Sequence, residues 1–354
     1  MFAKRFSDLN PYIPGEQPKD RVYIKLNANE NPYPPSPEVG KVLKEFNPDQ
    51  LRLYPDPDSN ELRNAIARML GNGIAPEMIF AGNGSDEVLS FVFYTFFDDD
   101  APLYFPEHTY SFYPVYSDYY GIPYKKIPLK KDFSIDTEAL LEGKSSGIIF
   151  ANPNAPTGIF LSLSEIRDIM DKYSPDRVVV VDEAYIDFGS ESAIPLLKDY
   201  KNLVIIRTFS KSFCFAGARL GFMIANPELI DAVFTTKNSF NHFPVDALTQ
   251  KIGIASCTDS KYYREICIKI SETRDNFSAQ LRNAGWEVLP SMANFVFVRK
   301  DGFDGEKVYN AVKSMGILIR YFNKPGISDY VRITIGKPED MKALFEIMQG
   351  ININ

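Results

Sequence analysis

The sequence predicts an α/β fold: a mostly parallel sheet wound with helices, followed by a smaller C-terminal α+β domain. Three observations carry this expectation. Apolar runs of strand length recur without polar alternation, as in 177–181 (RVVVV) and 203–206 (LVII), the pattern of strands buried on both faces. Between such runs lie stretches of helical period, with Leu62, Ile66, Met69 and Leu70 along one face of residues 60–71. Chemistry-bearing residues follow the runs directly: Asp182 after the first, then Thr208, Ser210 and Lys211 after the second. Ligands gather at such carboxyl ends of parallel strands.

A chain of 354 residues can bury the cores of one large and one smaller domain without covalent staples. The expected division is an N-terminal arm over 1–25, a large domain over 26–260 and a small C-terminal domain over 261–354. Against 39 basic residues stand 46 acidic ones, a net charge of −7 that suggests no nucleic-acid or anionic-membrane partner. Cys214, Cys257 and Cys267 show no CxxC spacing, so neither a disulfide framework nor a metal site is expected. The opening residues hold no apolar core of signal-peptide length, and no later run approaches a membrane span. The expected compartment is the cytoplasm.

Pro11, Pro14, Gly15 and Pro18 break the first residues, which cannot form a long helix and read as an arm lying over other structure. Residues 24–35 (IKLNANENPYPP) pass from a short strand into turns. A helix is expected over 38–46, then a Tyr54-Pro55 turn, then the helix at 60–71. In 79–88 (IFAGNGSDEV) a strand gives way to a glycine turn and a helix start. The first N–H groups of such a helix are free and favour an anion. Gly82 and Gly84 permit close approach there, while Ser85 and Asp86 open the helix. Residues 103–105 form a strand ending in a proline turn, and 147–158 (GIIFANPNAPTG) form another. Beyond the 203–206 strand, a last strand and helix of the large domain are expected over 222–260 and a long connecting helix over 261–284. Strands follow over 286–298, 317–321 and 330–335, with a closing helix over 339–349.

Lys211, Asp182, the hydroxyls of Thr208 and Ser210, and Arg219 together suit pyridoxal 5'-phosphate. That cofactor needs a lysine amine for its aldehyde, a carboxylate to keep its ring nitrogen protonated, and hydroxyls with an arginine for its phosphate. DEAY at 182–185, TFSK at 208–211 and ARLGF at 218–222 resemble the fold-type I aminotransferases, most closely the histidinol-phosphate aminotransferases. The resemblance runs from Leu9 to Gly336 and implies a large sheet of seven strands. It also implies roles. Lys211 carries the cofactor and shuttles the proton, Asp182 holds the ring nitrogen, and Tyr185 the ring oxygen. Tyr110 stacks on the ring. Gly84, Ser85, Asp86, Thr208, Ser210 and Arg219 bind the phosphate, joined by Tyr54 from the partner subunit of a homodimer. Tyr12, Asn29, Arg320 and Arg332 are implied for the substrates, a small amino donor and an oxo acid, with Arg332 on the carboxylate of glutamate. One position departs: Ala155 stands where the family has an asparagine that bonds the ring oxygen. The pattern leaves open a threonine-phosphate decarboxylase, an aromatic aminotransferase, and a non-catalytic cofactor-binding module. No basic or winged-helix segment precedes residue 25, which gives the last little support.

Overall fold

The computed structural model describes residues 2, 6, 9–13 and 15–351. Of the expected arm, residues 1, 3–5, 7, 8 and 14 lie outside these. β1 (Ile24–Lys25), α1 (Pro37–Glu45) and α2 (Asn60–Leu70) precede the large sheet. That sheet is built from β2 (Ile79–Gly82), β3 (Leu103–Pro106), β4 (Tyr124–Ile127), β5 (Gly147–Ala151), β6 (Val179–Asp182), β7 (Leu203–Thr208) and β8 (Gly221–Ala225). Their spatial order is β2-β8-β7-β6-β5-β3-β4. β4, β3, β5, β6 and β7 pair in parallel, and β8 runs against both of its neighbours. This is the mostly parallel, seven-stranded sheet that the resemblance implies.

Five further helices flank it: α3 (Gly84–Phe96), α4 (Tyr113–Tyr120), α5 (Leu163–Lys172), α6 (Pro227–Phe240) and α7 (Ala247–Thr258). α3, α4 and α6 cover one face, whereas α2, α5 and α7 cover the other. Alternate strand residues divide between the two cores. Val180, Val204 and Ile206 pack on the first side; Val179, Val181, Leu203 and Ile205 on the second. Both faces being dry, the strands show valine after valine with no polar alternation.

α8 (Ser260–Asn283) leads into β9 (Glu287–Val288), β10 (Phe295–Arg299), α9 (Gly305–Ser314), β11 (Ile317–Leu318), β12 (Arg320–Tyr321), β13 (Val331–Thr334) and α10 (Pro338–Gly350). β12, β13, β10 and β9 form an antiparallel sheet, while β11 pairs in parallel with β1. The core beneath this sheet takes in Tyr185 and Ala155 from the ends of large-sheet segments, so those ends meet the C-terminal structure.

Three details differ from expectation. Residues 222–260 hold two helices, because Pro244 interrupts the chain and the Asp246 carboxylate restarts it by accepting from Leu248 N and Thr249 N. The 286–298 stretch is two strands; around Pro290 the chain leaves the sheet, and Met292 N donates to Gly158 O at 2.9 Å. The 317–321 strand divides at Ile319, with one half paired to β1 and the other to β13.

The start of β8 presses on the start of α3. A Cβ on Gly221 would lie 2.3 Å from Ser85 N and 2.6 Å from Gly84 C, both backbone atoms that cannot swing aside. Gly221→Ala is therefore expected to lose about 1–3 kcal/mol of stability through overpacking, read as a lower urea midpoint. Gly253→Ala is the comparison: its nearest atoms are Leu220 and Leu62 side-chain ends, at 2.7 and 2.9 Å, which can turn, so its loss should be smaller.

Candidate active site

The carboxyl ends of β6 and β7 and the approach of β8 to α3 enclose a small cavity of about 100 Å³. Ser85, Asp86, Tyr110, Asp182, Tyr185, Thr208, Ser210, Lys211 and Arg219 all line it, and Gly84 sits at its rim against Arg219. Asp182 ends β6 at 4% exposure. Its carboxylate accepts from the Tyr113 hydroxyl at 2.9 Å and from Ala184 N at 3.2 Å. Burial outweighs both donors and pushes its carboxyl up to about 6. Arg219, with φ of 53°, donates through Nη2 to Asp86 Oδ2 at 2.8 Å. The Tyr110 hydroxyl donates to the other oxygen of Asp86 at 2.7 Å. Burial and the Asp86 charge hold that phenol well above its usual range.

A second cavity of about 200 Å³ adjoins the first and shares Tyr110, Ala155, Tyr185 and Lys211 with it. Tyr12, Asn29, Arg320 and Arg332 line it too, as does Asn27. Among the described residues, its charged lining consists of one lysine and two arginines, with no carboxylate. Arg320 and Arg332 face each other across β12 and β13. Arg332 Nη2 donates to Asn27 O at 3.0 Å, while its buried Nε has no partner among the described residues. Burial, with Arg320 nearby, moves the Arg332 guanidinium below the usual arginine range, though arginine stays charged. A buried, charged N–H without an acceptor marks the seat of an anion. Asn29, at φ 54°, donates from its side-chain amide to the Tyr185 hydroxyl at 2.9 Å and accepts from Thr334. Its amide thus orients Tyr185. Lys211 Nζ donates to Ala28 O at 3.2 Å and stands between the two cavities.

These residues fit pyridoxal phosphate. Asp182 is a buried anion at the cavity wall, suited to a protonated ring nitrogen, and Lys211 borders the same space. α3 has no side-chain cap, which leaves its first amides for a phosphate. A Cβ on Gly84 would stand 2.6 Å from the Arg219 guanidinium, so only glycine leaves that arginine its place. Tyr54 is elsewhere, 84% exposed and stacked on Phe243 at 4.6 Å between ring centroids.

The aminotransferase class I and II model matches residues 21–348. A histidinol-phosphate aminotransferase of Syntrophus aciditrophicus is 56% identical over 99% of this chain and 98% of its own. One from Acinetobacter baylyi is 47% identical, covering 99% and 96%. Among solved structures, the histidinol-phosphate aminotransferase of Sinorhizobium meliloti in complex with pyridoxal-5'-phosphate matches at a TM-score of 0.84. It is 25% identical, over 94% of this chain and 93% of that one. The chain belongs to the class I and II aminotransferases. Its full-length similarity is to their histidinol-phosphate group.

Against that family background, Ala155 lines both cavities. Asn154 does not substitute for the missing asparagine: its carbonyl accepts from Thr109 at 2.8 Å and its amide donates to His108 O at 2.9 Å. Sequence reasoning missed Tyr113 and Tyr116, whose hydroxyls hold the Asp182 side chain and the Asp86 carbonyl. The signal was available. Tyr113 and Tyr116 lie three residues apart at the start of α4 and so share a face, and Tyr110 stands one step of three before them.

The raised Asp182 gives a pH prediction for this aminotransferase without cofactor. Its ordinary value is 3.8 and its folded value about 6. Asp182 therefore contributes stability below the lower pH and loses it as pH rises through the higher one. At about 1.4 kcal/mol per pH unit the cost above pH 7 is on the order of 3 kcal/mol. Glu183, pushed up to about 7 by burial, has the same sign, so the variant comparison isolates Asp182. Urea unfolding of Asp182→Asn should gain on the wild type steadily from pH 4 to pH 7.

Proposed function

We propose that the protein transfers the amino group of L-histidinol phosphate to 2-oxoglutarate, giving imidazole acetol phosphate and L-glutamate. This is a step of histidine biosynthesis, and we assign it to a cytoplasmic homodimer using pyridoxal 5'-phosphate. The observation that carries the reading is 56% identity, over nearly the whole chain, to a protein of that name. A cavity joining Lys211 to two arginines supports it.

When bound, the cofactor supplies an electron sink for the substrate carbon. The remaining work falls to side chains. Lys211 would hold the cofactor when no substrate is present; its freed Nζ, standing between the cavities, would take the proton from the substrate carbon and deliver it to the cofactor carbon. Asp182 keeps the ring nitrogen protonated, and its burial strengthens that pairing. Tyr185, fixed by Asn29, holds the ring oxygen. Tyr110 stacks on the ring and keeps water out. The amides of Gly84, Ser85 and Asp86 would bind the phosphate with Thr208, Ser210 and Arg219, whose Nη2 also pairs with Asp86. Arg332 grips the carboxylate of glutamate, while Arg320 and Tyr12 serve the phosphate of the other substrate.

The two arginines separate the half-reactions. Arg320→Ala should weaken histidinol phosphate more than glutamate, by roughly 1.5–3 kcal/mol for a lost charged hydrogen bond. Arg332→Ala should damage both. Each half-reaction in single turnover is the measurement, and equal losses in Arg320→Ala remove it as a phosphate selector. Release of CO₂ from a phosphorylated amino acid by the native protein points instead to a decarboxylase.

Dimerisation supplies the other test. Tyr54 projects from the chain with exposed Leu51 and Leu53 nearby in sequence, as a contact segment does. In heterodimers of Tyr54→Phe and Lys211→Ala subunits, one site holds both native residues. Activity per Lys211 should exceed that of the Tyr54→Phe homodimer, and no gain in purified heterodimers removes the shared site.

A further inference from the structure

Behind Lys211 runs a chain of polar groups that the reaction does not touch, buried at Glu183 and Ser212 and partly open to solvent at Asp187. Glu183 follows Asp182 and is 1% exposed. Its two oxygens accept from Ala193 N at 2.6 Å and Ser192 Oγ at 2.7 Å, with Arg207 Nε at 3.9 Å. Arg207, in β7 just before Thr208, donates through Nη2 to Asp187 Oδ1. The other oxygen of Asp187 accepts from Ser212 Oγ at 2.5 Å. Ser212 is the neighbour of Lys211.

The route therefore begins and ends on catalytic segments. Asp187 lies two residues past Tyr185, and Ser212 one past Lys211. One carboxylate bridges the segment that carries Asp182 and Tyr185 to the segment that carries Thr208, Ser210 and Lys211. The far side of the Lys211 peptide is tied as well, since Asn31 Nδ2 donates to Lys211 O at 2.9 Å. A lysine has four rotatable side-chain bonds, so the placing of its Nζ depends on how firmly its backbone is held. Stability does not explain these groups: an ion pair with one partner open to solvent contributes little net stability, whereas a carboxylate bonded on both oxygens still fixes the geometry of the two segments it joins. A cavity of about 420 Å³ opens beside Asp187, Arg207 and Ser212, so apolar packing is not what clamps them.

We propose that Asp187, held by Arg207, is a positioning residue for the amino-group transfer: through Ser212 it fixes Lys211 relative to Tyr185. The proposal rests on Lys211 being the lysine that moves the proton. Its sharpest test is Ser212→Ala, which cuts the link next to Lys211 while leaving the Arg207–Asp187 pair. Ser212→Thr keeps the hydroxyl, and the adjoining cavity has room for the added methyl group.

Ser212→Ala in the holoenzyme should lower kcat roughly ten-fold for a misplaced catalytic group, with KM close to native. The pH midpoint of the cofactor's visible absorption, which reports on its bond to the lysine, should shift. Amide hydrogen exchange over 208–214 in the cofactor-free protein should quicken. Ser212→Thr should restore most of the rate and the native midpoint. Asp187→Ala should match or exceed the Ser212→Ala defect. If Ser212→Ala keeps native kcat, midpoint and exchange while only its thermal midpoint falls, the bridge is merely structural and the proposal is overturned. Lys211→Ala distinguishes the underlying assignment: native single-turnover rates in that variant overturn the role of Lys211 itself, whatever the Ser212 variants do.

Discussion

A carboxylate kept out of water at the end of a strand sets the terms for the surrounding structure. Asp182 can be buried only if something offers it hydrogen bonds, and the two donors come from different places. Ala184 N is free because the strand ends and the chain turns. The Tyr113 hydroxyl arrives from α4, which must be packed tightly enough to aim it. Phe93 and Phe105 do that, with ring centroids 6.2 and 5.9 Å from Tyr113. Part of the hydrophobic layer on this face is thus the mounting for one polar atom.

The neighbouring cavity shows the complementary strategy. Lys211, Arg320 and Arg332 crowd one small space with no carboxylate in its lining among the described residues, and backbone carbonyls of Ala28 and Asn27 accept from two of them. Carbonyl dipoles steady such cations without neutralising them. Their mutual repulsion remains as a cost in the folded protein, and an entering anion relieves it. Binding is thereby coupled to stability: any occupant with negative charge shifts the protein toward its folded form.

Much of this was legible in the sequence because it depends on order along the chain. The valine runs gave the doubly covered strands, and the residues just beyond them gave Asp182, Thr208, Ser210 and Lys211. Contacts between distant segments were not legible. Arg332 on the carbonyl of Asn27 joins residues 305 positions apart, and Asn29 on Tyr185 joins residues 156 apart. No local pattern encodes either bond. Element ends were also hidden where two sheets compete for one stretch, as in residues 317–321 (ILIRY), which read as one short strand. Asn154 illustrates a different limit. Its neighbourhood in the sequence offers a polar group beside Ala155, yet the turn directs its amide to Thr109 and His108.

The division at Ile319 also constrains the history open to this stretch. A single residue separates a strand committed to β1 from one committed to β13. Side chains on a strand alternate faces, so gaining or losing one residue there turns each following side chain to the opposite side. Arg320 would leave the cavity with no change in its chemistry. The number of residues between 317 and 321 is therefore more tightly constrained than their identity.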